Sequence, residues 1–136
     1  MSYEYIEHTA DIGVKARGDD LEEAFRETAK GMFSIITEIE KVEQIGEYRI
    51  ELKENNWEDL LISFLSELIY IHEVEDLLFC DFEVKLREND EKEMITLAKG
   101  EKIDLNKHNL ETAVKGVSYH DISVDPDGEI KVIFDV

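Results

Sequence analysis

Two aspartates near opposite ends of the chain have the residue type and position best suited to chemistry. Asp11 closes the polar cluster His8-Thr9-Ala10-Asp11, and Asp135 precedes Val136. Both lie beside short segments with the alternating pattern of β-strands. If these segments pair in one sheet, Asp11, Asp135 and the carboxylate of Val136 meet. Clustered oxygen ligands of this kind suit a hard divalent cation such as calcium or magnesium.

The same residues also have a plainer interpretation. Acidic side chains are mostly exposed, so Asp11 is then a turn residue and Asp135 a solvated strand end. The chain has 34 Asp and Glu residues, and acid/base pairs can be drawn almost anywhere among so many carboxylates. Spacing alone therefore identifies no catalyst.

The remaining motifs exclude several classes of site. The four histidines, His8, His72, His108 and His120, include no pair four residues apart that would bind zinc on a helix. The seven glycines form no phosphate loop, dinucleotide fingerprint or nucleophile elbow. Cys80 is the only cysteine and lies in an apolar run, which indicates a buried thiol in a reducing compartment. With no apolar run of membrane-spanning length and no signal-peptide pattern, we expect a cytoplasmic protein without membrane contact.

The charge of the chain restricts its partners. The formal net charge is −19, whereas nucleic-acid affinity comes from basic residues that neutralise phosphates. Tight direct binding of nucleic acid is therefore not expected. The same charge attracts cations and basic proteins, and it also serves solubility.

Two helices are predicted. The first begins after Asp20, an N-cap residue with Glu23 three positions later, and continues to about Thr37. The second follows Asn55-Asn56 and repeats apolar residues at three- and four-residue spacing from Trp57 to His72.

Alternating segments predict six or seven strands. They cover residues 3–6, 12–17, 47–53, 77–87, 93–102, 113–120 with 122–124, and 130–136. Turn residues occur at Asn89-Asp90 and at Asp125-Pro126-Asp127-Gly128. Since hairpins dominate the second half, we predict an α+β fold: a mostly antiparallel mixed sheet with the two main helices packed on one face. Residues 1–136 are expected to form a single domain.

Several segments taken together resemble the archease family. The matching residues, in chain order, are 5–12 (YIEHTADI), 18–25 (GDDLEEAF), Met32-Phe33, 60–61 with 64–70 (LL, FLSELIY), Lys107-His108, 114–120 (VKGVSYH) and 134–136 (FDV). Each piece is short, and the specificity lies in their joint order over nearly the whole chain. One departure is Gly116-Val117-Ser118-Tyr119, where relatives often have Ala-Val or Ala-Ile followed by Thr-Tyr.

The resemblance implies a function and a set of site residues. Archeases are small cytoplasmic accessory proteins, not enzymes. They activate the RtcB-type RNA ligase in tRNA splicing by promoting guanylylation of the ligase and its multiple turnover. The resemblance also implies a calcium-type metal site at Asp11, Asp135 and Val136, and functional roles for Glu67 and Lys115.

Two other classes of function stay open. One is a metal-dependent hydrolase using Asp11, Asp135 and either His8 or His120, in which the ion activates water. The other is a general chaperone or adaptor for RNA-modifying enzymes, in which the acidic surface alone acts. A hydrolase would act alone, an activator would need the ligase, and an adaptor would bind partners without changing ligase turnover.

Overall fold

The computed structural model describes residues 1–8 and 11–136, although the side chains of Glu7 and His8, like the whole of Thr9 and Ala10, lie outside the described part. Its strands and helices alternate in an order close to the predicted one. In chain order they are β1 (Ser2–His8), β2 (Asp11–Arg17), α1 (Leu21–Ile36), a 3₁₀ turn (Ile39–Lys41), β3 (Gly46–Glu54), α2 (Trp57–Glu75), β4 (Leu77–Glu88), β5 (Lys92–Lys102), β6 (Gly116–Asp125) and β7 (Glu129–Asp135).

The seven strands form two antiparallel sheets. The four-stranded sheet has the order β1-β2-β7-β6, and the three-stranded sheet has the order β3-β5-β4. Both helices contact strands of both sheets, so the helical layer lies between the sheets. The predicted α+β class with two main helices is confirmed. The division into two sheets was not predicted, because an alternating pattern specifies the two faces of a strand and not its neighbour.

Helix α1 begins where the sequence predicts. The Asp20 carboxylate accepts a hydrogen bond from the Glu23 N–H at 2.9 Å, and the Glu23 carboxylate accepts one from the Asp19 N–H at 2.9 Å. These bonds satisfy backbone donors that the helix cannot pair internally. Phe25 and Phe33 of α1 are fully buried, since this helix packs against a sheet on each side.

An aromatic cluster joins the helices to the three-stranded sheet. The ring centroid of Phe33 lies 5.6 Å from that of Phe79 and 6.1 Å from that of Phe82, and Phe64 of α2 lies 6.1 Å from Phe82. Tilted and edge-to-face pairs at this separation add to the stabilisation that burial provides. The cluster fixes α1 and α2 relative to β4.

One glycine is required by a close approach of two strands. A Cβ atom on Gly100 of β5 would lie 1.8 Å from the carbonyl oxygen of Leu78 on β4. The pairing of these strands shifts register between Phe79 and Asp81. Gly100 therefore allows the two backbones to approach beside this irregularity.

Strand β6 is more irregular than predicted and begins at Gly116, so residues 113–115 of the predicted strand lie outside it. The two predicted segments, 113–120 and 122–124, are one strand, Gly116–Asp125, whose register against β7 shifts between Ser118 and Ser123. Asp121 has φ of 56°, the left-handed region, which explains why the alternation breaks at this residue. No helix within the described residues is long and apolar enough to cross a membrane.

Candidate functional site

A single row of residues crosses the end of the four-stranded sheet. Strand pairing places His8 opposite Asp11, Asp11 opposite Asp135, and Asp135 opposite Gly116. Directly opposite residues in antiparallel strands have Cα atoms about 4.5–5.5 Å apart. The two aspartates that the sequence analysis singled out are therefore neighbours, although they come from opposite ends of the chain.

The aspartate pair lies on the face of the sheet that points away from the helices. Successive strand residues point to opposite faces. Val14 and Ala16 of β2 are fully buried, as are Val132 and Phe134 of β7. Asp11 and Asp135 have the opposite parity, so they lie on the outer face.

The adjacent row on this face is packed closely and supports the aspartates. It pairs Ile6 with Gly13 and Gly13 with Ile133. Ile133 is only 2% exposed, and a Cβ atom on Gly13 would lie 2.9 Å from the carbonyl oxygen of Ile6. An apolar row without free space holds the backbone of both aspartate-bearing strands.

The segment before β6 is attached to the aspartate pair through the backbone. The N–H of Lys115 donates to the carbonyl oxygen of Asp135 at 2.8 Å. A Cβ atom on Gly116 would lie 3.7 Å from Oδ2 of Asp135, which is an ordinary van der Waals distance. An alanine in place of Gly116 would therefore not block Asp135.

The donor set suits a hard cation. Two carboxylates placed directly opposite each other repel unless a positive charge lies between them. The described residues contain no group of three His, Cys, Asp or Glu side chains arranged to hold a metal. A cation held by Asp11 and Asp135 could also take oxygens of Val136 and water as ligands, as calcium and magnesium do.

The structure places Glu67 on α2, Lys115 just before β6, and His120 on β6. Glu67 is half-buried on α2, and Lys115 has an exposed side chain. The imidazole of His120 is 77% exposed and lies 3.3 Å from the Asp121 carboxylate. Within the described residues, neither Glu67 nor His120 makes a hydrogen bond or ion pair with Asp11 or Asp135. The side chain of His8 lies outside the described residues.

Sequence reasoning missed a link between β6 and α2. The Tyr119 hydroxyl donates to the Asp59 carboxylate at 2.9 Å, and this bond raises the pKa of Tyr119 above its ordinary value, with a smaller contribution from burial. It anchors the irregular part of β6 to the first turn of α2. The only signal in the sequence was the break in alternation at Asp121.

The Lys107-His108 motif has a structural role. His108 is 3% exposed, and its Nδ1 accepts the Asp104 N–H at 3.0 Å. The Lys107 ammonium contacts the Glu101 carboxylate at 2.7 Å. Burial raises the pKa of Glu101, but the hydrogen bond from Lys107 and further bonds outweigh it and leave that pKa below its ordinary value. These contacts hold the chain that leads towards β6.

The described residues form a cavity away from the aspartate pair. A cavity of about 740 Å³ lies on the other sheet. It is lined by Glu22, Glu51, Leu52, Lys53, Lys85, Leu86, Arg87, Glu93, Met94 and Ile95. Neither Asp11 nor Asp135 lines this cavity.

Comparisons with known proteins identify the family of this chain. Residues 3–136 match the model of the archease protein family (MTH1598/TM1083). The chain is 44% identical to the protein archease of Pyrococcus furiosus over 129 residues, which cover 93% of this chain and 91% of that protein.

Two solved structures share the fold. The solution structure of Methanobacterium thermoautotrophicum protein 1598 superimposes with a TM-score of 0.85 at 35% identity, covering 98% of both chains. The Thermotoga maritima structure, described as an archease and possible chaperone, has a TM-score of 0.58 at 21% identity and covers 96% of this chain and 94% of its own, which supports the fold alone. Because the family match extends through both strands that carry the aspartate pair, the chain belongs to the archease family.

Proposed function

We propose that this protein is a non-enzymatic activator of an RtcB-type RNA ligase in tRNA splicing. It promotes guanylylation of the ligase and allows repeated turnover. The observation that carries the proposal is the cross-strand pair of Asp11 and Asp135 on an open sheet end. Asp135 is exposed and Asp11 is half-buried at this sheet end, so their carboxylates can be presented to another protein.

The cation that we propose for this site is calcium or magnesium, held by Asp11, Asp135 and the oxygens of Val136. When bound, it supplies positive charge that neutralises the carboxylate pair and fixes the ends of β2 and β7. Asp11 and Asp135 would hold it through carboxylate oxygens from adjacent strands. The backbone N–H of Lys115 is bonded to Asp135, and we assign its exposed side chain to engagement with the ligase or its nucleotide.

The charge of the protein supports a basic partner. A body with formal charge −19 is steered towards a basic protein surface and away from tRNA phosphates. Association with the ligase should therefore weaken as added salt screens the attraction. Tight binding of naked tRNA at about 0.15 M salt would contradict this part of the proposal.

The direct test measures ligase guanylylation and multiple turnover with and without this protein. Asp11→Ala and Asp135→Ala should both reduce stimulation, and the double variant should lose less than the sum of the two because both act through one cation. Lys115→Ala should weaken stimulation without changing calcium affinity. Glu67→Ala shows whether Glu67 acts through the metal, as the aspartates do, or through the ligase, as Lys115 does. Glu129→Ala is the matched control, since Glu129 lies on the same strand and face as Asp135.

Calorimetry separates the metal site from the rest of the proposal. Calcium should bind the wild-type protein and not Asp11→Ala. Equal affinity in both proteins would remove Asp11 from the site. If all four variants remain folded by circular dichroism and stimulate the ligase normally, another surface carries the function.

A second candidate function is that of a general chaperone. The Thermotoga maritima relative is described as a possible chaperone, and the acidic surface of this chain suits such a role. A chaperone would reduce aggregation of several RNA-modifying enzymes, and the aspartate variants would retain that effect. A metal-dependent hydrolase would instead cleave substrate with the purified protein alone.

A further inference from the structure

Strand β3 is an open edge of the three-stranded sheet. It pairs with β5 on one side and has no strand on the other. Within the described residues, the backbone of Gly46–Glu54 makes no hydrogen bond on its outer side. Unpaired N–H and C=O groups in a row of nine residues are a template for another strand.

The side chains of β3 follow a pattern that is complementary to itself. Charged residues of alternating sign, Glu47, Arg49, Glu51 and Lys53, occupy one face of the strand. Tyr48, Ile50 and Leu52 occupy the other face, where Ile50 is buried in the core.

A second copy of β3 can pair with the first about a two-fold axis at Ile50. In this antiparallel register, Arg49 lies opposite Glu51 of the second copy, and Glu47 lies opposite Lys53 of the second copy. Each ion pair occurs twice by symmetry. On the other face, Tyr48 lies opposite Leu52 of the second copy, so apolar residues also meet.

Neighbouring registers are repulsive. A shift of two residues in one direction places Arg49 opposite Arg49 of the second copy, and the opposite shift places Glu51 opposite Glu51 of the second copy. A shift of one residue places the charged residues of one copy opposite the apolar residues of the other copy. The register about Ile50 is the one that uses the whole strand and matches all four charges.

Intrachain contacts leave these charges accessible. Arg49 and Glu51 contact each other within the strand at 2.6 Å, with side chains 59% and 61% exposed. Lys53 is 65% exposed and lies 3.2 Å from Glu93. Exposed pairs of this type contribute little, so exchanging them for cross-strand pairs costs little.

We propose that β3 is a homodimer interface, through which two copies join their three-stranded sheets into one six-stranded sheet. The interface is one strand wide, so the dimer is weak and depends on concentration. Each copy carries a formal charge of −19, which opposes association at low salt. The dimer should therefore be studied at about 0.15 M salt or above.

Sedimentation equilibrium of the full chain tests the proposal. The wild-type protein should form a species of twice the 15.8 kDa mass of one chain. Arg49→Glu should weaken dimerisation about tenfold, because two attractive cross-strand pairs become repulsive. Arg87→Glu, an equal change of charge on the far edge strand β4, is the control and should not alter the dimer.

A mixing experiment tests the register itself. Arg49→Glu and Glu51→Arg should each dimerise about tenfold more weakly alone, whereas an equimolar mixture should form heterodimers as tightly as the wild type. In the heterodimer the two substituted residues face each other with opposite charges, and the other pair is the natural one between Arg49 and Glu51. The double variant Arg49→Glu/Glu51→Arg should dimerise like the wild type, which also excludes misfolding as the cause of the single-variant loss.

Three outcomes would overturn the proposal. They are a wild-type protein that stays monomeric up to about 1 mM, a dimer that Arg49→Glu leaves unchanged, and single variants whose mixture associates no more tightly than each variant alone.

Discussion

Replacing Asp11 with asparagine should change the thermal stability of this protein in opposite directions with and without calcium. Asp11 lies directly opposite Asp135, so the wild-type sheet end carries two facing negative charges. Without a cation, Asp11→Asn removes their repulsion and should stabilise the fold. With calcium, the same change removes a calcium ligand, so the variant loses the stabilisation that calcium binding gives to the wild type.

The two effects differ in size. Like charges directly opposite on a sheet destabilise it by roughly 0.2–1 kcal/mol, and the exposure of Asp135 places this pair in the lower half of that range. At about 3 °C per kcal/mol for a chain of this length, Asp11→Asn should raise the melting temperature in EDTA by about 1–2 °C. Calcium at 100 times its dissociation constant stabilises the wild type by about 2.7 kcal/mol, or about 8 °C.

Differential scanning calorimetry in EDTA and in saturating calcium measures both effects. Asp90→Asn is the control, since Asp90 lies in the exposed turn between β4 and β5 and should respond to neither condition. The reasoning is refuted if Asp11→Asn lowers the melting temperature in EDTA, or if calcium raises the melting temperatures of variant and wild type equally.

Three further predictions concern the scaffold. Gly100→Ala should destabilise the protein by about 3 kcal/mol or more, because its Cβ would overlap the Leu78 carbonyl. Gly46→Ala, whose Cβ would lie 3.9 Å from its nearest neighbour, should be almost neutral in the same urea titration. Phe33→Ala should cost about 3–5 kcal/mol in urea denaturation, since it removes the centre of the aromatic cluster; a loss below about 1 kcal/mol would contradict that packing. Burial raises the pKa of Asp81, but the hydrogen bond from Arg26 outweighs it and leaves that pKa below 3.8; Asp81 therefore stabilises the fold above pH 3.8 and loses this effect as the pH falls through its lowered pKa. The stability difference between wild type and Asp81→Asn should accordingly shrink in acid, and a difference that is constant from pH 7 to pH 3 would refute the assignment.

Local chemistry explains why much of the fold could be predicted from sequence. The start of α1 depends on Asp20 and Glu23, whose bonds to nearby backbone N–H groups involve neighbours in the chain. The start of α2 depends likewise on Asn56, which accepts the Asp59 N–H at 2.8 Å. The alternation of apolar and polar residues predicted the strands because each strand packs one of its faces against the rest of the protein.

Long-range relations were harder to predict. Nothing in the pattern of β3 distinguishes a strand of the four-stranded sheet from one of the three-stranded sheet, because both sheets bury an apolar face against the same helices. The irregularity in β6 depends on the left-handed backbone of Asp121, and the bond between Tyr119 and Asp59 joins residues 60 positions apart. Periodicity carries no information about such contacts.

The aspartate pair was predictable in part: its position could be expected from sequence, but its role could not. The sequence analysis placed Asp11 close to Asp135 by assuming that the first and last alternating segments share a sheet. The pairing of β2 with β7 agrees with that assumption. The occupancy of the site by a metal stays a prediction. Glu67 and Lys115 were named by resemblance alone, and the structure adds for Lys115 a backbone bond to Asp135.

The position of β2 between β1 and β7 has a consequence for synthesis on the ribosome. The chain emerges from its N-terminus, so β1 and β2 are available long before β7. During that interval, the β2 edge that β7 will cover is open to other nascent chains. The aspartate pair forms only when β7 closes this edge, so a cation held by both aspartates would stabilise the paired strands and not the open edge.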